Sequence, residues 1–441
     1  MAKTILKHIV AFLVTLVALA GILVLSSLVP KESIRDNLIE SMEHYRNKQP
    51  FQSDESGRLN KITDNYADVI LLGVLWNVSS DEPFVSAIDT KYFDGNTGSE
   101  DLGESWGLYT SLTNGAEPNT DYTRYWHGMM VILRPMLTFA TVPQIKAILL
   151  ALVLLLGGAC CVILAVKKQY FAAGAFVLSA CCVHIWNIRL SLEYIPAFLV
   201  AFAMCIPFIL LEKKGDGYLT ILSVISGVAI NFFDFLTAET LSILLPLVLV
   251  FIMREQENRL GGLKKNIILT IECGAAWGIS YAMTFVSKWT LATVVTGENK
   301  FAAAFSSVGE RTFGEMGQGV SYANQLLFAP AANISTLFGG KERLDVSALV
   351  TGIIVTAILL GGVFIAFGKT SGIRRDFIKL MLVTAALPYV RFFVLSNHSY
   401  LHEFFTYRAQ MVVALALFAI VWFNVEFVKK APVKKKKAVK K

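Results

Sequence analysis

Apolar residues in this chain gather into long unbroken runs separated by polar stretches of very unequal length. Ten runs stand out, at 9–29, 145–166, 170–188, 194–211, 218–233, 237–253, 266–286, 346–367, 377–395 and 404–428. A helix rising 1.5 Å per residue needs roughly 20 apolar residues to cross a hydrocarbon core of about 30 Å. Lipid offers no hydrogen-bond partner, so such a run must satisfy its backbone internally, and helix is the conformation that does so. The pattern therefore predicts an all-α polytopic membrane protein with about ten transmembrane helices and two large extracytoplasmic loops. Its parts are a first span at 1–29, a loop with interfacial helices at 30–143, spans two to seven at 144–286, a second loop at 287–345, spans eight to ten at 346–428, and a basic tail at 429–441. The first run is longer than the apolar core of a signal peptide, and Leu25-Ser-Ser-Leu-Val is a poor cleavage site, so a retained anchor is expected.

Basic residues give the runs an orientation. Lys3 and Lys7, Lys167-Lys168, Lys213-Lys214, the segment from Arg254 to Lys265, the segment from Lys369 to Arg375 and the tail all fall on one side, while the short opposite loops carry almost no lysine. Positive-inside asymmetry places that side, and both termini, in the cytoplasm. Of 441 residues 55% are apolar and 17% charged. The net charge of +7 is no sign of nucleic acid, because eight lysines lie in the tail beyond Val428 and the rest of the chain is nearly neutral. Cys160, Cys161, Cys181, Cys182, Cys205 and Cys273 all fall in apolar runs, where cysteine serves as a small polarizable packing residue.

With orientation assigned, the unusual polar residues collect on the outer side. Thr63-Asp-Asn-Tyr-Ala-Asp68 precedes an apolar run, and if helical it places Asp64 and Asp68 on one face. Arg124-Tyr125-Trp126-His127-Gly128 leads into a short apolar stretch broken at Arg134-Pro135, which reads as a helix lying in the interface. His184, Asn187, Arg189 and Glu193 mark one outer turn, Asp234 and Glu239 the next, and Asn397-His398-Ser to His402-Glu-Phe-Phe-Thr-Tyr-Arg408 the last. Aromatic rings and amides are common at helix ends near an interface. Arginine is not, costing ~2.5 kcal/mol or more at a helix centre, so these clusters point to one outward-facing polar site.

Carboxylates, cations and an interfacial platform suit transfer of a sugar from a lipid phosphate. A carboxylate takes the proton of an attacking hydroxyl, and arginine holds the leaving phosphate with a two-pronged fork. The chain has neither a GxGxxG after a strand nor a GxxxxGK[ST] phosphate loop, which favours a lipid-borne sugar over a nucleotide sugar. The motifs Asp64-Asn-Tyr-Ala-Asp68, Arg124-Tyr-Trp-His-Gly128, Asn397-His-Ser to Phe405-Thr-Tyr-Arg408 and, more weakly, Asn231-Phe-Phe-Asp-Phe-Leu-Thr237 resemble membrane proteins of bacterial polysaccharide clusters in the GT-C superfamily of glycosyltransferases. That resemblance implies a multi-pass enzyme of the bacterial cytoplasmic membrane, with a polyprenyl-phosphate-linked sugar as donor and a glycan or lipid-linked acceptor. It implies inverting transfer with an acid of the first loop as base, which matches Asp68 in the first place and Asp64 in the second. It assigns Arg124, His127, His398, His402 and Arg408 to the phosphate and sugar. Tyr125, Trp126, Arg189, Glu193, Asp234 and Asn397 complete the expected substrate-binding set. The family often places its acid directly after the first span, where this chain has Glu32 and Asp36. No resident cofactor is expected, and a divalent metal is left open. Gly309, Gly314, Gly317 and Gly319 suggest a mobile lid in the second loop. Rival readings are a polysaccharide polymerase or ligase, and a lipid-linked glycan flippase. The flippase would show inverted repeats or broken helices at mid-membrane, and the sequence has neither.

Overall fold

A computed structural model describes residues 2–95, 103–314, 321–367 and 374–424, and each of the ten apolar runs is helical over most of its described residues. The chain opens with α1 (Ala2–Ser27). The first polar segment follows, with helices α2 (Glu32–Tyr45), α3 (Asn65–Asn77), α4 (Pro83–Ile88), α5 (Gly103–Asn114) and α6 (Met130–Leu137). Two small antiparallel pairs tie it together, β1 (Phe51–Gln52) with β2 (Thr63–Asp64) and β3 (Lys91–Tyr92) with β4 (Thr120–Asp121). Then come α7 (Val142–Val166), α8 (Tyr170–Cys182), α9 (Ile195–Leu211), α10 (Asp216–Phe233), α11 (Leu241–Gln256) and α12 (Leu263–Thr296). The second polar segment holds α13 (Lys300–Phe313) and α14 (Tyr322–Leu337). The chain continues through α15 (Val346–Phe367), α16 (Arg375–Val394), the short α17 (Ser396–Leu401) and α18 (Glu403–Thr406), and α19 (Met411–Asn424).

Among the described residues seven stretches are long and apolar enough to cross a bilayer: α1, α7, α9, α10, α12, α16 and the stretch Glu403–Asn424. The protein is a multi-pass membrane protein. At 13 and 16 residues, α8 and α11 fall short of the roughly 20 that a perpendicular crossing needs. Burial separates centre from rim. Every residue of α11 from Leu241 to Arg254 is buried, whereas Val17 of α1, Leu155 of α7, Ile279 of α12 and Ile358 of α15 are each more than 60% exposed. Such apolar exposure suits hydrocarbon as the solvent. The close crossing of α10 and α12 depends on Gly227, where a Cβ would lie 2.2 Å from Ser280 Oγ and 2.4 Å from the Trp277 carbonyl.

The turns sort into two groups. In one, Arg254, Arg259, Glu212, Asp216 and Glu257 interlock the ends of α9, α10 and α11, and Gln169 after α7 donates to Glu257. Arg374 joins this end by pairing with Glu255, its backbone N–H donating to Asn424, and His8 of α1 meets Thr220 of α10 close by. The other group comprises the long segment from 28 to 141, the turns at 183–194 and 234–240, the second polar segment and the turn around 395–410. Buried Arg134 braces the long segment, donating to carbonyls of Ser26, Val29, Leu75 and Val78 at the ends of α1 and α3. All four carbonyls lie at or just past helix ends, where backbone acceptors lack helical partners and an arginine fork can serve them.

Several expectations change. The second polar segment is largely helical, and α12 runs to Thr296, well past the predicted end of the seventh span. The expected final span is a continuous helical stretch from Glu403 to Asn424, within which Tyr407–Gln410 is a 3₁₀ turn that holds Arg408 ahead of α19. Of the four lid glycines, Gly309 lies inside α13 and Gly314 directly follows it, while Gly317 and Gly319 lie outside the described residues, as does the basic tail.

Candidate functional site

A cavity of about 370 Å³ lies among the second group of turns, and its walls come from regions distant in sequence. Asp64, Tyr66 and Ala67 enter from the start of α3, Arg124 and Tyr125 from the segment before α6, and Glu193 from the α8–α9 turn. Phe235 comes from the α10–α11 turn, Arg311 from α13, and His398, His402 and Phe405 from the last turn. Phe51, Tyr92 and Tyr122 add further aromatic surface. Six of the residues singled out in the sequence therefore share one cavity: Asp64, Arg124, Tyr125, Glu193, His398 and His402.

The two acids of the first motif occupy different environments. Asp68 is fully buried behind the cavity wall and both of its oxygens are occupied. Oδ1 accepts from the Ser191 hydroxyl (2.8 Å) and the Leu192 N–H (2.7 Å), and Oδ2 accepts from the Tyr45 hydroxyl (2.8 Å) and pairs with the Lys146 ammonium. Asp68 thus ties α2, α3 and α7 to the α8–α9 turn. Ser191, which it orients, accepts the Glu193 N–H at 3.1 Å. Asp64 instead caps α3, with Oδ1 accepting the Ala67 N–H at 2.8 Å, and Oδ2 accepts no hydrogen bond from the described residues. Burial, only partly opposed by that N–H, and then the charge of Asp68 push the Asp64 carboxyl up to about 7. Glu193 is driven well above the usual carboxylate range by burial and by the charges of Asp64, Asp234 and Asp68, which Arg311 only partly offsets.

The cationic wall is also left open. The Arg124 guanidinium lies over the Tyr122 ring at 4.5 Å and the Tyr125 ring at 5.5 Å, and its buried Nε has no hydrogen-bond partner. Arg311 lies 5.5 Å from the Tyr125 ring centre, again with a partnerless Nε. Neither forms an ion pair with a carboxylate among the described residues. The two histidines are both held toward their uncharged form. Burial first, then His402, Arg391 and Arg311, hold His398 well below its ordinary value, and burial with Arg311 holds His402 down to about 3. His398 meets the Leu236 carbonyl at 3.0 Å, fixed there by Arg391, which pairs with Glu239 (2.9 Å) and donates to Ser399 Oγ (2.8 Å). At the lip, Asp121 pairs with Lys300 at 2.5 Å.

The remaining predicted residues do not line the cavity. Trp126 is buried, donating to the Thr284 carbonyl at 2.9 Å. His127, at φ +53, meets the Tyr122 carbonyl and shapes the turn that presents Arg124. The next residue must be glycine, since a Cβ on Gly128 would lie 2.4 Å from the Phe232 carbonyl. Asp234 folds back onto its own turn, accepting from the Thr237 N–H at 2.9 Å. Arg189 is exposed. Asn397 donates to the Gly314 carbonyl at 3.0 Å. Arg408 is buried behind Tyr194, 4.5 Å from its ring centre, with Nε and one terminal nitrogen unpartnered. Sequence reasoning missed Arg311, which belongs to no dense motif. Its only signal is a basic residue on the same helical face as Lys300 and Ala304. Among the described residues no three His, Cys, Asp or Glu side chains converge closely enough to hold a metal ion.

Comparison with protein-family models, curated proteins and solved structures returned no match to this chain.

Proposed function

We propose that the protein is a membrane glycosyltransferase that moves a sugar from a polyprenyl-phosphate carrier to a glycan or cell-envelope acceptor at the outer face of a bacterial cytoplasmic membrane. The observation that carries this reading is the division of one cavity into an acid wall, Asp64 and Glu193, and a cationic wall, Arg124 and Arg311, none of them ion-paired among the described residues. The acceptor hydroxyl attacks the anomeric carbon while the carbon–oxygen bond to the carrier phosphate breaks, and the departing phosphate keeps the electron pair. Asp64 takes the hydroxyl proton, since it has a free oxygen and a carboxyl held at about 7, close to the pH at which it must work. This exchanges the roles expected from the sequence, because Asp68 has no free oxygen for a proton in flight. Arg124 and Arg311 take the charge that grows on the phosphate. His398 and His402, with the aromatic lining, contact the sugar. Lys167, Lys168, Lys213, Lys214, Lys264 and Lys265 gather near the ion-paired end, which supports both termini and that end being cytoplasmic, with ten spans in all.

The test is mass spectrometry of the surface polysaccharide from cells with and without the gene, complemented by wild type or Asp64→Asn. Loss of a single sugar that only wild type restores supports the reading. An unchanged polymer overturns it, and loss of the whole polymer selects a polymerase or ligase instead.

A further inference from the structure

The outer end of α12 grips two short helices through consecutive side chains. Buried Lys288 donates to the Ile88 carbonyl at 2.7 Å, at the end of α4. Trp289 packs on α13, with ring centres 5.8 Å from Phe301 and 5.7 Å from Phe305. Both short helices turn apolar side chains away from the protein. Phe84 and Val85 of α4 are 47% and 40% exposed, and Phe305 and Val308 of α13 are 62% and 47% exposed.

α13 has three faces. At 100° per residue Lys300, Ala304 and Arg311 fall within about 40° of one another and form the side against the protein. Phe305 and Val308 form an apolar outer side, while exposed Ser306 and Glu310 form a polar one that closes, at the helix end, on exposed Phe313. A helix buried in a dry protein contact would not need the polar outer side, and one surrounded by water would not keep the apolar one. The exposed apolar surface also continues onto α12, since Val294, in its last turns, is 75% exposed.

We propose that α13 and α4 lie in the plane of the outer leaflet as a collar around the emerging end of α12, with Phe305, Val308, Phe84 and Val85 at the boundary of headgroups and acyl chains. The collar is joined to the cavity twice. α13 carries Arg311, and Trp289 Nε1 donates to the Arg124 carbonyl at 3.1 Å. Resting on the transferase reading, the collar holds both arginines at headgroup depth, so a lipid phosphate reaches them without leaving the bilayer.

A photo-crosslinking diazirine residue placed at 305, 308 or 84, in the full chain reconstituted into phosphatidylethanolamine–phosphatidylglycerol vesicles, tests the collar. Intact-mass spectrometry should find phospholipid adducts at these three positions and water adducts at 310 and 82. Water adducts at 305 and 308 would overturn the proposal, as would a crosslink to a second copy of the chain. This arm needs no turnover and stands or falls independently of the transferase reading. In a second arm the exposed pair is changed, Phe305→Ser with Val308→Ser, and a polyprenyl phosphate in the same vesicles is the probe. Its affinity should fall several-fold, and unchanged affinity would remove the collar's part in delivery.

Discussion

The ion-paired turns at one end of this molecule and the cavity at the other treat charged side chains in opposite ways. At one end Glu212 receives Arg259 through both oxygens, Arg254 bridges to Asp216, and Lys213 and Arg259 share Glu257. At the other, among the described residues, Arg124 and Arg311 pair with no carboxylate, and Asp64 and Glu193 with no cation, across the same small cavity. Isolated buried charge is costly, and proteins normally pair or neutralise it. A fold that closes its ion pairs at one end has the means to close them at the other. The open charges are therefore read as places reserved for a ligand that brings its own charge and protons.

The comparison can be broken most forcefully at its acids. Asp64→Asn should lower turnover by roughly 10³-fold, within the range of a lost general base. Its melting temperature should barely move, because asparagine also caps a helix. If transfer persists in a steady-state assay, Asp64 is not the base. Four residues on, Asp68→Asn should cost about 3–5 kcal/mol of stability, since it strips buried Lys146 of its partner. Thermal unfolding in detergent would measure the difference, and equal stability of the two variants would erase the distinction drawn between them.

The cations give the next contrast. Arg311→Met should weaken binding of a lipid-phosphate donor by about 10- to 100-fold, a loss of one charge-assisted contact, with little change in melting temperature. Arg254→Met, at the paired end, should cost about 3 kcal/mol while leaving activity per folded molecule unchanged. Smaller again is Gly128→Ala, expected to cost roughly 1–3 kcal/mol by pressing on Phe232 and to shift Arg124 with it. A rise in donor KM along with the fall in stability would show that displacement.

The mildest effect is on pH dependence. The Asp64 carboxyl is raised in the folded state, so the native chain holds its proton longer than the unfolded one. Its contribution to stability is complete below the unfolded value near 4 and is lost as pH rises through about 7. The base must be ionised to act, so turnover should climb across the same interval in which stability declines. Asp64→Asn should flatten its share of the stability slope, leaving that of Asp234, which burial also raises to about 7.

Local signals carried the secondary structure far. Runs of Leu, Ile and Val located all ten apolar helices, because hydrogen bonding within lipid leaves the backbone no alternative. Lengths were harder. The run through 266–286 gave no hint that α12 continues to Thr296, since beyond that run the helix is held by Trp289 and Lys288 against α13 and α4, partners far away in sequence. Dense clusters of Arg, His, Asp and aromatic residues marked the right turns. The role of each member within a cluster was not legible.

By itself, the sequence determined an all-helical membrane body, its sidedness as an expectation, and the polar segments that could meet at one end. All of these follow from composition and from periodicity over one or two helical turns. Only the tertiary structure decided that Asp68 is sealed by Tyr45, Lys146 and Ser191 while Asp64 faces a cavity, that Arg408 lies behind Tyr194, and that Arg311 joins Arg124. Whether a charge is spent on the protein or left for a ligand depends on which distant side chains come within about 3 Å of it, and no local pattern encodes that distance.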